Sequence, residues 1–167
     1  MTAILRKAVL LLLSACLMYF GINAQSVSEN EKLLINSAEK YLLLAKNQNW
    51  IEFVEASHPG YVHYFGGKTR LVRLLEASEN ISPVNNSVSL LYQSKGENPQ
   101  AVLSFLSAEG KRNFLLAASA DKGKSWSYFL LPHYLADNLL HIMPDASEKI
   151  PAVINSGYLV ENTNKGN

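Results

Sequence analysis

The chain has 167 residues, 15 Lys and Arg against 14 Asp and Glu, and one cysteine. A net charge of +1 without a clustered basic excess leaves no electrostatic case for nucleic acid or an anionic membrane surface, and a lone cysteine excludes an internal disulfide. The length is enough to bury an adequate core as one domain without staples.

Arg6 and Lys7 precede an apolar run from Ala8 to Phe20, followed by Asn23-Ala24-Gln25. The run is shorter than the ~20 residues of a spanning helix and reads as a secretory signal peptide cleaved near Gln25, giving a periplasmic or secreted protein. A rival reading lies in the same segment, because Leu13-Ser14-Ala15-Cys16 matches the lipobox of a lipoprotein anchored at Cys16. Leu17 to Phe20 continue the apolar run where a lipoprotein carries a polar tether, which favours the cleaved form. The exported chain then has no cysteine, so thiol nucleophiles and thiolate metal sites drop out. The expected organisation is a leader over 1–25, one α+β domain over 26–155 and a flexible tail over 156–167.

Ser28 and Glu31 form a capping box, and Leu34, Ala38, Tyr41 and Ala45 recur on one helical face, predicting a helix over 29–46. Asn49 caps a short second helix through Trp50, Phe53 and Val54, stopped by Ser57-His58-Pro59-Gly60. Tyr61 to Phe65 reads as a short extended piece. Gly66-Gly67 turns the chain into a third helix over about 68–79 through Leu71, Leu74 and Leu75. From Val88 the period becomes alternating: VSLLYQS, AVLSFLSA, RNFLLAASA and SWSYFL are four strands joined by hairpin-type connections. Three helices before an antiparallel meander give an α+β fold, the N-terminal helices packed on a curved sheet of about four strands. The serines that alternate along the strands predict an exposed sheet face. Beyond Pro132, weak periodicity with Pro144 and Pro151 predicts a docked, mostly irregular tail.

The series YLLLAKNQNWIEFVEASHP, FGGKTRLVRLL, NFLLAASADKGKSWSYF and LLHIMPDASEKIP resembles a group of uncharacterised exported bacterial proteins over about 40–155. In layout the chain is similar to the nuclear-transport-factor-2-like and cystatin-like α+β folds. That resemblance implies a roll with a helix-covered pocket, and it implies no reaction. The chain departs from the group between Glu79 and Gln100, which carries Asn85-Asn86 and Glu97-Asn98-Pro99.

Three motifs bear on function. Ser119 to Trp126, SADKGKSW, looks like the Asp-box of sialidase-type β-propellers, but a propeller repeats the box once per blade in a much longer chain, so one copy reads as a turn. Asp121 would bond nearby amides, Gly123 supply a positive φ and Trp126 anchor the next strand. Gly67-Lys68-Thr69 ends like a P-loop, yet Val62 stands where its first glycine belongs, leaving a turn that feeds a helix. Glu55-x-x-His58, with His63 five residues on, has the spacing of two metal ligands, but di-metal bundles need two such pairs, and no metal or cofactor is expected. His133 and His141 read as packing or surface residues.

Isomerases, dehydratases and cyclases with this layout place a base in the covered pocket. No Asp, Glu or His falls inside a predicted strand, so an enzyme would have to use His58 or His63 as general base, with Tyr61, Tyr64 or Tyr92 donating. The favoured expectation is a non-catalytic exported domain binding a small apolar ligand or a protein partner, the ligand site lined by Trp50, Phe53, Tyr61, Tyr64 and Tyr92. A homodimer through the exposed sheet face is a further expectation.

Overall fold

The computed structural model of the chain describes residues 28–78 and 87–163. The expected leader with Cys16, the segment 79–86 and residues 164–167 lie outside the described residues. Among the described residues four helices come first: α1 (Glu29–Lys46), α2 (Trp50–Glu55), α3 (Pro59–Tyr64) and α4 (Lys68–Ala77). The strands β1 (Ser89–Gln93), β2 (Gln100–Leu106), β3 (Arg112–Ala118) and β4 (Ser127–Leu131) follow as an antiparallel sheet in the order β1-β2-β3-β4. A 3-10 segment (His133–Asn138), α5 (Leu139–Ile142) and α6 (Lys149–Thr163) complete the chain. The protein is therefore α+β, with helices ahead of a four-strand meander.

α1 forms where the capping box stood: the Ser28 hydroxyl accepts a hydrogen bond from the Glu31 amide at 3.1 Å, and Glu29 and Glu31 put negative charge at the positive helix end. Its buried stripe is Leu34, Ala38, Tyr41, Leu42 and Ala45. Tyr41 stacks on Phe53 of α2 at 4.2 Å and tilts against Tyr128 of β4 at 5.2 Å, so α1 and α2 cover the Tyr128 face of the sheet. The hydroxyls buried there are partnered: Tyr41 with Ser57 at 2.9 Å, and Tyr128 with Ser37 and the Leu34 carbonyl.

Neighbouring strand residues point to opposite faces. Phe129 accordingly turns the other way, stacking on Tyr61 of α3 at 5.6 Å and meeting the His58 ring at 5.8 Å. The chain passes between faces along the outer edge of β4. There the His58 amide donates to the Tyr128 carbonyl at 2.7 Å and the Tyr128 amide to the Ala56 carbonyl at 3.2 Å, a short parallel bridge at Ser57. Phe114 shares the Phe129 face by register, and a Cβ placed on Gly157 of α6 would come within 2.5 Å of its ring. Thus α3, α5 and α6 line the second face, with α6 lying on β1, β2 and β3.

Three expectations are corrected. Tyr61 to Phe65 is not extended: α3 occupies Pro59–Tyr64, with the His58 ring as its cap and Pro59 at the first position, where a missing N–H costs nothing. The tail is not irregular, since α6 runs from Lys149 to Thr163 with Ile150 and Ile154 buried. The serine-bearing face is not open. Ser104 and Ser119 are buried, and every β2 residue from Gln100 to Phe105 is buried as well, because α6 covers the side that the N-terminal helices leave. Both faces of β2 are therefore covered, while Ser89 on the β1 edge stays exposed.

Candidate functional site

The five aromatic residues expected to share a ligand site are divided between the two layers. Trp50 and Phe53 are buried on the α1 side, meeting edge-on at 5.7 Å. Tyr61 is buried on the other side between Phe65 and Phe129. Tyr64 is 39% exposed and packs edge-on against Phe65, and Tyr92 reaches across from β1 to the Ser147 hydroxyl at 3.2 Å. The last contact is structural. Gln100, buried beside it, donates to the Asp145 carbonyl at 2.8 Å and accepts from the Ser147 amide at 2.7 Å, so the pair pins the approach to α6 onto the sheet.

The two histidines occupy different settings. The half-buried His58 accepts a hydrogen bond from the Gly60 amide on Nδ1 at 3.1 Å, and burial lowers its pKa, with Asp145 acting in the opposite direction. His63 projects from α3 and is exposed. The tyrosines near them are held protonated: burial pushes Tyr41 and Tyr61 well above the usual phenol range and Tyr128 up to about 12. A proton donor whose pKa lies so far above neutrality is poorly matched to acid catalysis. Glu55 of the Glu-x-x-His pair binds Lys68 at 2.7 Å instead of converging with His58. Among the described residues no three metal-binding side chains come together, and no helix is long and apolar enough to cross a membrane.

The Gly-Gly-Lys stretch is a turn into α4, with Gly67 at φ 99° and Lys68 taken up by Glu55. The SADKGKSW stretch is a self-bonded turn between β3 and β4. Asp121 receives the Ser119 hydroxyl at 2.8 Å, the Ser125 amide at 2.8 Å and the Ser125 hydroxyl at 2.6 Å, and these hydrogen bonds, Ser125 foremost, hold its carboxyl down to about 2. The Gly123 amide binds the Ser119 hydroxyl at 2.8 Å, and the Trp126 indole binds the Gly123 carbonyl at 3.1 Å. Its polar groups are spent on one another.

A cleft lies at the opposite end of the sheet, around the β2–β3 hairpin, with a volume of about 470 Å³. Phe105, Phe114, Leu130 and Leu131 form a buried apolar floor where β2 and β4 end and β3 begins. Pro132 and Tyr134 form one wall, and Tyr134 is 73% exposed although it is a large aromatic. The hairpin forms the other. Its turn is set by the Ser107 amide and Lys111 carbonyl at 2.8 Å and by the Gly110 amide and Ser107 carbonyl at 2.9 Å. The hairpin rim carries Ser107, Asn113 and the Glu109–Lys111 ion pair, and Tyr134 adds a hydroxyl on the facing wall. A concave site with an apolar floor and a few polar groups at its rim suits a small, mainly apolar molecule.

These residues escape a reading by motif because each looks like an ordinary strand residue. The available signal is that β2 and β4 run apolar into their turns, as Phe105-Leu106 and Leu130-Leu131-Pro132, with Leu106 itself 49% exposed. Compared with protein families, curated proteins and solved structures, the chain matches none of them.

Proposed function

We propose that this chain is an exported, non-catalytic domain that binds a small apolar ligand in the cleft at the β2–β3 hairpin. The leader-like N-terminus carries the export, and the helix-first order before a four-strand meander supports kinship with the nuclear-transport-factor-2-like or cystatin-like folds. The observation that carries the binding is the apolar floor of about 470 Å³ under an exposed tyrosine. Trp50, Phe53 and Tyr61 serve the core in this reading, and the ligand-lining role passes to Phe105, Phe114, Leu130, Leu131 and Tyr134. An isomerase, dehydratase or cyclase would need His58 or His63 at the site, and neither borders this cleft.

Native mass spectrometry of the protein purified from its own exported fraction tests the proposal. A retained molecule of a few hundred daltons, lost when Ala108 at the cleft rim is replaced by Trp, is the expected result. Retention unchanged in Ala108→Trp would place the ligand elsewhere. A bare mass in both proteins would count against the cleft as a site.

A further inference from the structure

We infer that His58 is an acid-sensitive latch on this cleft: when its imidazole takes up a proton, α3 loses its N-terminal cap, its seat on α5 loosens, and the Tyr134 wall gives way and releases the ligand. The inference rests on the cleft reading for its consequence, but the latch itself is defined by geometry. Nδ1 accepts the Gly60 amide at 3.1 Å, and an imidazolium has no lone pair with which to do so. Gly60 is where α3 meets α5 most closely. A Cβ there would lie 1.9 Å from the Ile142 carbonyl oxygen, so the first turn of α3 rests directly on α5 backbone. α5 in turn continues without a break from the 3-10 segment that carries Tyr134.

The charged group facing His58 is Asp145, on the segment after α5 that Gln100 holds to the sheet. It offers an imidazolium a partner away from Gly60 and gives the acid state somewhere to go. Glu55, three residues upstream on α2, is bound to Lys68 of α4. β4 presents the Phe129 ring and the Tyr128 carbonyl, the latter held by the His58 amide at 2.7 Å whatever the charge of the ring. The chain junction therefore stays in place while the cap is lost. The direction follows from burial: the folded protein favours neutral His58, so the stability tied to it is present above the unfolded value of about 6.5 and is lost as pH falls through the lower folded value.

The test uses the exported protein, N-phenyl-1-naphthylamine as a neutral apolar fluorescent probe, and His58→Asn, which keeps a capping oxygen but takes no proton. Probe affinity should fall about tenfold between about pH 7.5 and about pH 5 in the wild type and by less than about twofold in His58→Asn. By NMR, the Gly60 amide should lose its protection with the midpoint of the His58 ring. An equal fall in His58→Asn, or a Gly60 amide that ignores the His58 titration, overturns the latch. Absence of probe binding at either pH removes the cleft reading instead. In that case, or if His58→Asn does not fold, the wild-type Gly60 titration decides for or against the latch.

Discussion

The two ends of the sheet make different use of their turns. Where β3 meets β4, Ser119, Asp121, Ser125 and Trp126 bond to one another and to the turn backbone, and the Ser119 and Lys122 amides are tied to the Pro99 and Glu97 carbonyls of the neighbouring connection at 3.0 Å each. Where β2 meets β3, the hairpin is held by backbone bonds and by fewer side-chain ones, the Ser107 hydroxyl accepting from the Lys111 amide at 3.2 Å and Asn113 donating to the Lys111 carbonyl at 3.3 Å, and it stands beside an apolar floor. A turn that satisfies its own polar groups has nothing left with which to bind; the open end keeps the Tyr134 and Leu106 side chains exposed to water that solvates them poorly. The motif that draws the eye in the sequence is thus the structural end, and the unremarked strand ends line the cleft.

Substitutions at the two ends sharpen that contrast. The largest effect is expected at Phe114, fully buried in the cleft floor: Phe114→Ala should cost about 3–5 kcal/mol in urea denaturation, so the site is open at its mouth and firm beneath. At the closed end, Gly123 sits at φ 86° with only ordinary contacts awaiting a Cβ. Backbone strain is then the whole penalty, and Gly123→Ala should lose about 1–2 kcal/mol. The closed end should also be the acid-labile one below the histidine range. Because the folded value of Asp121 is depressed to about 2, its contribution is present above the unfolded carboxylate value and is lost as pH falls from there toward about 2. Asp121→Asn should flatten the thermal-stability profile in that window and leave probe binding unchanged. The smallest stability effect is expected at Tyr134: Tyr134→Ala should stay within about 0.5 kcal/mol of wild type, as exposed positions do, while weakening N-phenyl-1-naphthylamine binding several-fold.

What the sequence made legible was local. The Ser28 capping box and the alternating runs after Val88 name their elements because the signal and the structure share one short window. α3 was hidden because its cap is a histidine rather than Ser, Thr, Asp or Asn, and six residues give too little periodicity to read. α6 was hidden because Pro151 reads as a breaker, although in the first turn it breaks nothing, and because Gly157 interrupts the stripe of Ile150 and Ile154 to make room for Phe114. The site was not legible in either way. The aromatic residues around the second helix are conspicuous in sequence and buried in the fold, whereas the cleft is assembled from the ends of three strands and a segment beyond them. Only the register and the second covering layer bring these pieces together.

The most direct measurement is two-dimensional NMR of the labelled protein titrated with N-phenyl-1-naphthylamine at neutral pH. Shifts centred on Phe105, Phe114, Leu130, Leu131 and Tyr134, with Trp50, Phe53 and Tyr61 still, are the result the account predicts. Shifts centred on Trp50, Phe53 and Tyr61, or a spectrum the probe leaves unchanged, would contradict it.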